Sequence, residues 1–335
     1  LFEIMNNDIN YKDLYNKYLN SFEEHLENYI NSFENQVLLE PLKYIMTGKG
    51  KRIRPMLVIF SNLAVGGKTE EAMNCAIALE MLHNFTLAHD DIMDQSPLRR
   101  GKETIYKKWD EATAILLGDI MIGLAFALLP THDKSSNNER IFTRFNSALI
   151  EVCQGQALDM QFEQEKSITL DEYLKMIELK TAMLIEASSC IGGLSGYGTK
   201  AEINSLIRYG KALGLAFQIQ DDLLDATAEI EKFGKRVGQD LLDGKKTFLI
   251  LTAEKIAQNE EDRELIDEFF NNKGVKEEDI PKMLEMYERL GVFEEAEKEI
   301  DNYTEKAKDS IKNITENVGK NMLYWIADLL NKRKK

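Results

Sequence analysis

Two acidic clusters are the residues of this chain best suited to chemistry. The first, Asp90-Asp91-Ile92-Met93-Asp94, lies in a helical pattern that starts near Thr69 and contains no Gly or Pro. Positions i and i+4 of a helix share a face, about 6 Å apart along the axis. Asp90 and Asp94 therefore stack, with Asp91 beside them. Three carboxylates so close repel one another unless a cation sits among them. A hard ion such as Mg²⁺ fits, held by one or two carboxylates with substrate phosphates completing its shell. A solvated acidic face is the alternative, and this cluster alone does not decide. The second cluster, Asp221-Asp222-Leu223-Leu224-Asp225, repeats the spacing inside another long apolar helical pattern. Solvated faces are not usually bounded by Phe, Ile and Leu. Two such clusters, more than a hundred residues apart, can face each other across a helix bundle and clamp several ions.

Around the acids stand cations at helix ends and loops. Gly48-Lys49-Gly50 interrupts the helical pattern, and Pro55 suits the first turn of the next helix. Lys51, Arg52 and Arg54 then stand at a helix N-terminus, where cations and backbone N–H groups favour an anion. A solvated basic turn is the plainer reading of that segment. His83 precedes Asp90 by seven residues, about two helical turns, and so shares its face. A loop from Gln95 to Lys102, punctuated by Pro97 and Gly101, presents Arg99 and Arg100. Arginine's planar fork suits phosphate oxygens. Lys180 and Thr181 lie mid-helix in an apolar context, where a lysine needs a partner or a ligand. Gln156 and Asp159 share one side of their helix, and Gln218 falls one turn before Asp221. From Glu229 to Thr247 the helical period fails, and Lys235, Lys245, Lys246, Asp240 and Asp243 appear. A basic loop there suits a lid that excludes water.

Helical periodicity dominates throughout, and no alternating strand or Asn-Gly hairpin stands out. The chain has 335 residues, 44% of them hydrophobic, and no linker-like stretch. A single helical domain over 1–335 is expected. A net charge of −15 argues against nucleic acid as a partner. Three cysteines without CxxC spacing suit thiols in a reducing cytoplasm. No secretory signal is visible. Residues 1–7 read as an expression remnant or a disordered start, with Met5 as a candidate natural start. The apolar run Ala112–Leu129 reaches membrane-spanning length, but Asp119 at its centre favours a buried bundle helix over a membrane span.

The chain resembles the trans-isoprenyl (polyprenyl) diphosphate synthases. The resemblance rests on Gly50-Lys51-Arg52-Ile53-Arg54-Pro55, Leu82-His83, both acidic boxes, Arg99-Arg100-Gly101, Gly118-Asp119, Gly155-Gln156, Lys180-Thr181 and Gly244-Lys245-Lys246-Thr247, in that family's order and spacing. It implies an all-α fold, a large antiparallel bundle of the isoprenoid synthase type with the active site in its central cavity. It implies three Mg²⁺ ions on Asp90, Asp94 and Asp221, with Asp91 and Asp225 beside them. It implies that Lys51, Arg54, His83 and Arg100 hold isopentenyl diphosphate. It assigns the allylic diphosphate to Arg99, Lys180 and Thr181, with Gln218, Lys235 and Lys245 as further substrate-binding residues. Asp90, Asp94, Arg99, Lys180, Asp221 and Lys235 are the expected catalytic set, and a homodimer the expected assembly. Phe85, with the small Thr86 beside it, resembles the chain-length positions of twenty-carbon (geranylgeranyl) synthases. Farnesyl or longer products remain alternatives. A terpene cyclase would have no use for the second diphosphate site, and a non-catalytic subunit would have lost an acidic box.

Overall fold

In the computed structural model, residues 10–48, 50–99, 101–130, 136–227 and 237–332 are described. They are helical apart from one two-residue hairpin and connecting turns. The chain divides into two compact units, which no linker in the sequence announces.

The first unit comprises Leu1–Leu149, Ala187–Ile207 and Ile311–Ile326. It holds α1 (Tyr11–Asn31), α2 (Gln36–Met46), α3 (Ile53–Ala64), α4 (Thr69–Met93), α5 (Ile105–Lys108) and α6 (Glu111–Leu128). α4 is its central helix and packs on both α3 and α6. Its middle, from Ala76 to Leu82, is buried on every side. A helix apolar all round has no solvent face to give, so burial fixes its place. α6 meets α4 through Ala114, Leu117, Gly118, Met121 and Ala125. The expectation of a buried helix holds for that face alone. Only 33% of this membrane-length apolar stretch is buried, with Ile115 and Leu116 exposed.

Between α4 and α5 the expected loop contains a hairpin, β1 (Leu98–Arg99) with β2 (Lys102–Glu103), antiparallel with Arg99 opposite Lys102. Gln95, just past the end of α4, takes a left-handed conformation at φ 49. Asn tolerates that conformation better than Gln.

The second unit comprises Ile150–Glu186, Arg208–Ser310 and Ala327–Lys335. It holds most of α7 (Ser136–Gln164) from Ile150 onward, α8 (Leu170–Ile177), a π-helical turn at Glu178–Ala182, and α10 (Lys200–Thr227) from Arg208 onward. After α11 (Gln239–Leu242) come α12 (Phe248–Ile256), α13 (Glu260–Asn272), α14 (Ile280–Leu290) and α15 (Val292–Ser310). Its core gathers Tyr173, Ile219, Leu223, Ile250, Phe269, Met283, Tyr287 and Ile300. The capping box of Thr169 with Glu172 opens α8 as the sequence predicts. A second Thr/Glu pair, Thr199 with Glu202, does the same for α10.

The sequence run Gly192-Gly193-Leu194-Ser195-Gly196-Tyr197-Gly198 reads as a turn-rich break, but α9 (Met183–Ser195) continues through Gly192 and Gly193. A Cβ on Gly192 would stand 2.2 Å from the carbonyl oxygen of Val58. The glycine serves close helix approach, and the chain turns only at Gly196 to Gly198.

Candidate active site

The first acidic cluster occupies the last turn of α4. Asp90 is half-buried, and Asp94, the C-cap residue, is exposed. A helix C-terminus carries partial negative charge, so acids there are destabilising and cations favoured. α4 has three acids at that end and no basic residue in its last turn. A cation bound there would offset that charge. Asp91 instead points inward, buried, and accepts a hydrogen bond from Arg99 Nε at 2.6 Å. Burial pushes its carboxyl above the usual range, against the pull of Arg99. Ser96 N–H donates to the Asp91 carbonyl at the end of α4, and Thr104 closes the base of the hairpin by donating to Pro97 and Ser96. Sequence spacing leaves Asp91 beside the other acids; its burial under the hairpin is a tertiary effect.

On the same unit, α3 begins one residue after Arg52 and no side chain caps it. Arg54 lies in its first turn and brings Nη1 to 3.1 Å from His83 Nε2 on α4. Two of the residues expected at one diphosphate are thus side by side. Lys51 is exposed, with its carbonyl bound by the Tyr15 hydroxyl. Below His83, the Phe85 ring is buried and stacks edge-on against His89 at 4.8 Å. Thr86 turns its hydroxyl back onto the His83 carbonyl. His89 is pressed onto Gly118 so closely that a Cβ there would stand 2.2 Å from Nε2.

In the second unit, the second cluster lies near the end of α10, with Asp225 in the last turn, Asp221 about one turn before it, and no basic residue in that last turn. Asp221 is exposed, and no hydrogen bond or ion pair engages its carboxylate among the described residues. Asp225 accepts from the Asp240 N–H at 2.9 Å. Asp222 is buried and accepts from the Tyr173 hydroxyl, the Phe248 N–H at 3.0 Å and the Gln218 amide at 3.1 Å. Burial raises its carboxyl to about 6 despite those three donors. Gln218, one turn before the cluster, spends its amide N–H on Asp222. Its other end accepts from Thr181 at 2.8 Å. One chain of hydrogen bonds therefore runs from Tyr173 through Asp222 and Gln218 to Thr181.

Thr181 and Lys180 sit in the π-helical turn, a feature the sequence does not announce. Such bulges recur at functional sites. Here two glycines make room for it. A Cβ on Gly155 of α7 would fall 2.2 Å from the Lys180 nitrogen, and one on Gly214 of α10 would fall 2.5 Å from Ala182 Cα. Lys180 reaches Asp159 in an ion pair. Gln156 is buried, and among the described residues neither end of its amide has a hydrogen-bond partner. Lys245 is half-buried and bonds Asp240 through its backbone. Burial, then Asp225 and Asp222, hold the Asp240 carboxyl well above its ordinary value. Arg100 and Lys235 lie outside the described residues.

The donor set fits Mg²⁺. Among the described residues no three His, Cys, Asp or Glu side chains form a ready cage. Mg²⁺ does not need one, because it keeps several waters and takes one or two carboxylates beside phosphate oxygens. Asp90 and Asp94 of α4, and separately Asp221 of α10, offer carboxylates of that kind.

The family model described as polyprenyl synthetase matches residues 35–287. A short chain isoprenyl diphosphate synthase of Methanothermobacter thermautotrophicus is 36% identical over 96% of this chain and 98% of its own. A geranylgeranyl diphosphate synthase of Sulfolobus acidocaldarius is 33% identical over 97% of this chain and 99% of its own. The crystal structure of geranylgeranyl pyrophosphate synthetase from Pyrococcus horikoshii superposes with a TM-score of 0.89, at 31% identity, covering 97% of this chain and 100% of that one.

Proposed function

We propose that this chain, which belongs to the polyprenyl synthetase family, condenses isopentenyl diphosphate with an allylic diphosphate to make a short-chain trans-prenyl diphosphate. Geranylgeranyl diphosphate is the favoured product, supported by relatives named for it across nearly the whole chain. One observation carries the reading: α4 ends in accessible acids with no basic residue in its last turn, the reverse of what helix stability favours, and α10 repeats the same acidic spacing close to its own end.

Asp90, Asp94 and Asp221 are the residues proposed to hold Mg²⁺, with Asp225 beside Asp221 and Asp91, turned inward onto Arg99, backing the first cluster. When bound, the metal supplies positive charge against the diphosphate oxygens of the allylic substrate. Arg99, Lys180 and Lys235 add cationic donors for the same diphosphate, stabilising charge that grows as it departs. The allylic C–O bond breaks and its electron pair leaves with the diphosphate. The double bond of isopentenyl diphosphate attacks the allylic cation and a C–C bond forms. Loss of one proton, taken up by the departed diphosphate, restores a double bond. No Ser–His–Asp set is required. Lys51, Arg54, His83 and Arg100 orient isopentenyl diphosphate, and Gln218 and Lys245 complete the substrate-binding set. Phe85, with Thr86 beside it, limits the product.

A homodimer is part of the proposal. Ile115 and Leu116, exposed on α6, and the exposed Phe142, which stacks on Phe126 further along the same helix at 5.4 Å, support it. The three thiols form no disulfide, which supports a reducing cytoplasmic setting. The test is product analysis with labelled isopentenyl diphosphate and each of the three short allylic primers. Cyclic hydrocarbon formed from an allylic diphosphate alone would point to a cyclase instead.

A further inference from the structure

Arg52 is the residue between Lys51 and α3, and nothing in the proposed chemistry uses it. Its backbone is left-handed, φ 48 and ψ 40, in a residue with a full side chain. Such a conformation persists only where the surroundings impose it, and an observed outlier of this kind points to a functional constraint. The side chain supplies that constraint. Although it starts from a turn, its guanidinium is 1% exposed. Nε donates to Glu23 of α1 at 2.8 Å, Nη1 donates to Glu80 of α4 at 2.6 Å, and Nη2 donates to the Met46 carbonyl at the end of α2. Glu80 is itself buried and also accepts from Asn84 at 3.3 Å.

The guanidinium thus ties three helices to one turn. Burying an ion pair seldom adds stability over a well-packed apolar group, but it does fix register. The register here belongs to cations. Glu80 and His83 stand three residues apart on α4, and Arg52 and Arg54 two apart across the start of α3. Arg52–Glu80 and Arg54–His83 are therefore two rungs between the same pair of elements. The inner rung is buried and the outer one half-buried. The Tyr15 hydroxyl holds the Lys51 carbonyl on the other side of Arg52. We propose that Arg52, through Glu80, is a positioning residue that sets where Lys51, Arg54 and His83 meet a diphosphate. The proposal rests on the reading that these three hold isopentenyl diphosphate.

The experiment is steady-state kinetics on the full chain carrying Glu80→Gln, Arg52→Lys or Arg52→Met, with circular dichroism to confirm folding. Glu80→Gln keeps size and removes the charge, so it answers the question even if Arg52→Met does not fold. Misplacing binding groups by small distances has large kinetic effects, so KM for isopentenyl diphosphate should rise on the order of tenfold, with allylic KM and kcat within about twofold. Adding Arg54→Ala to Glu80→Gln should raise that KM by less than the two effects combined, because both act on one contact. Equal rises in both KM values, or a lowered Tm with unchanged kinetics, overturns the proposal. Lys51→Ala and Arg54→Ala separate the two levels. If they leave KM for isopentenyl diphosphate unchanged, the reading beneath has failed. If they raise it and Glu80→Gln does not, only the positioning role has failed.

Discussion

Gly155 of α7 lies against the backbone nitrogen of Lys180, with only 2.2 Å between that nitrogen and the place a Cβ would occupy. The π-helical turn that carries Lys180 and Thr181 depends on this gap. Gly155→Ala must push backbone against backbone, which costs about 1–3 kcal/mol in overpacked cores. The variant should fold with lowered stability and show a larger loss in kcat/KM for the allylic substrate than for isopentenyl diphosphate. Urea unfolding and paired kinetics check both parts. Loss of stability with no change in either kinetic constant would mean that the turn merely packs.

Arg54 and His83 stand 3.1 Å apart. Lys51→Ala or His83→Ala should raise KM for isopentenyl diphosphate about tenfold or more, corresponding to about 1.4 kcal/mol of binding. The allylic KM should change little. Equal effects on both substrates would contradict the assignment of this cluster to one diphosphate.

Phe85 is buried against His89, and His89 against Gly118. Removing a buried Phe costs about 3–5 kcal/mol, so Phe85→Ala is best assayed well below its Tm. Its product should be longer by one or more five-carbon units. Gly118→Ala acts at the far end of the same stack, and by displacing His89 it should broaden the product distribution. An unchanged distribution in both variants would show that Phe85 is ordinary core.

Asp262 lies in the first turn of α13, whose N-cap is Asn259, and its carboxylate is gripped by both ends of the Arg289 guanidinium and by Asn259. The Arg289 hydrogen bond holds its carboxyl below the ordinary range. A lowered carboxyl contributes stability above the unfolded-state value, about 3.9, and loses it as pH falls through the folded one. Arg289→Ala should therefore lower the urea midpoint at pH 7, with the gap to the parent narrowing below about pH 4. Its kinetic constants should match the parent's. A gap independent of pH would assign the effect to packing.

Periodicity suffices for the long helices and for the start of α4 at Thr69, because capping and apolar spacing are local. Both acidic boxes are legible for the same reason, being spaced at i and i+4. What spacing cannot show is which acid turns inward. Asp91 is covered by the hairpin and Asp222 by Tyr173 and Phe248, residues far away in sequence. The π-helical turn is invisible for the same reason, since its room comes from Gly155 and Gly214 on other helices. Those glycines were the available signal, as each interrupts a helix interior without a turn. Gly192 misleads in the opposite sense, because a lone sequence cannot tell a close-packing glycine from a breaking one. Arg52 is read beside Lys51 and Arg54 as one more surface cation; only Glu23, Glu80 and the Met46 carbonyl reveal it as buried.

The central claim is metal-dependent condensation, and transfer of label from isopentenyl diphosphate tests it most directly. Purified chain, Mg²⁺, labelled isopentenyl diphosphate and farnesyl diphosphate should give labelled twenty-carbon diphosphate. Incorporation should vanish with excess chelator and return with Mg²⁺. It should be absent in Asp90→Ala and Asp221→Ala, with circular dichroism unchanged. Full incorporation in excess chelator, or by either variant, would contradict the account.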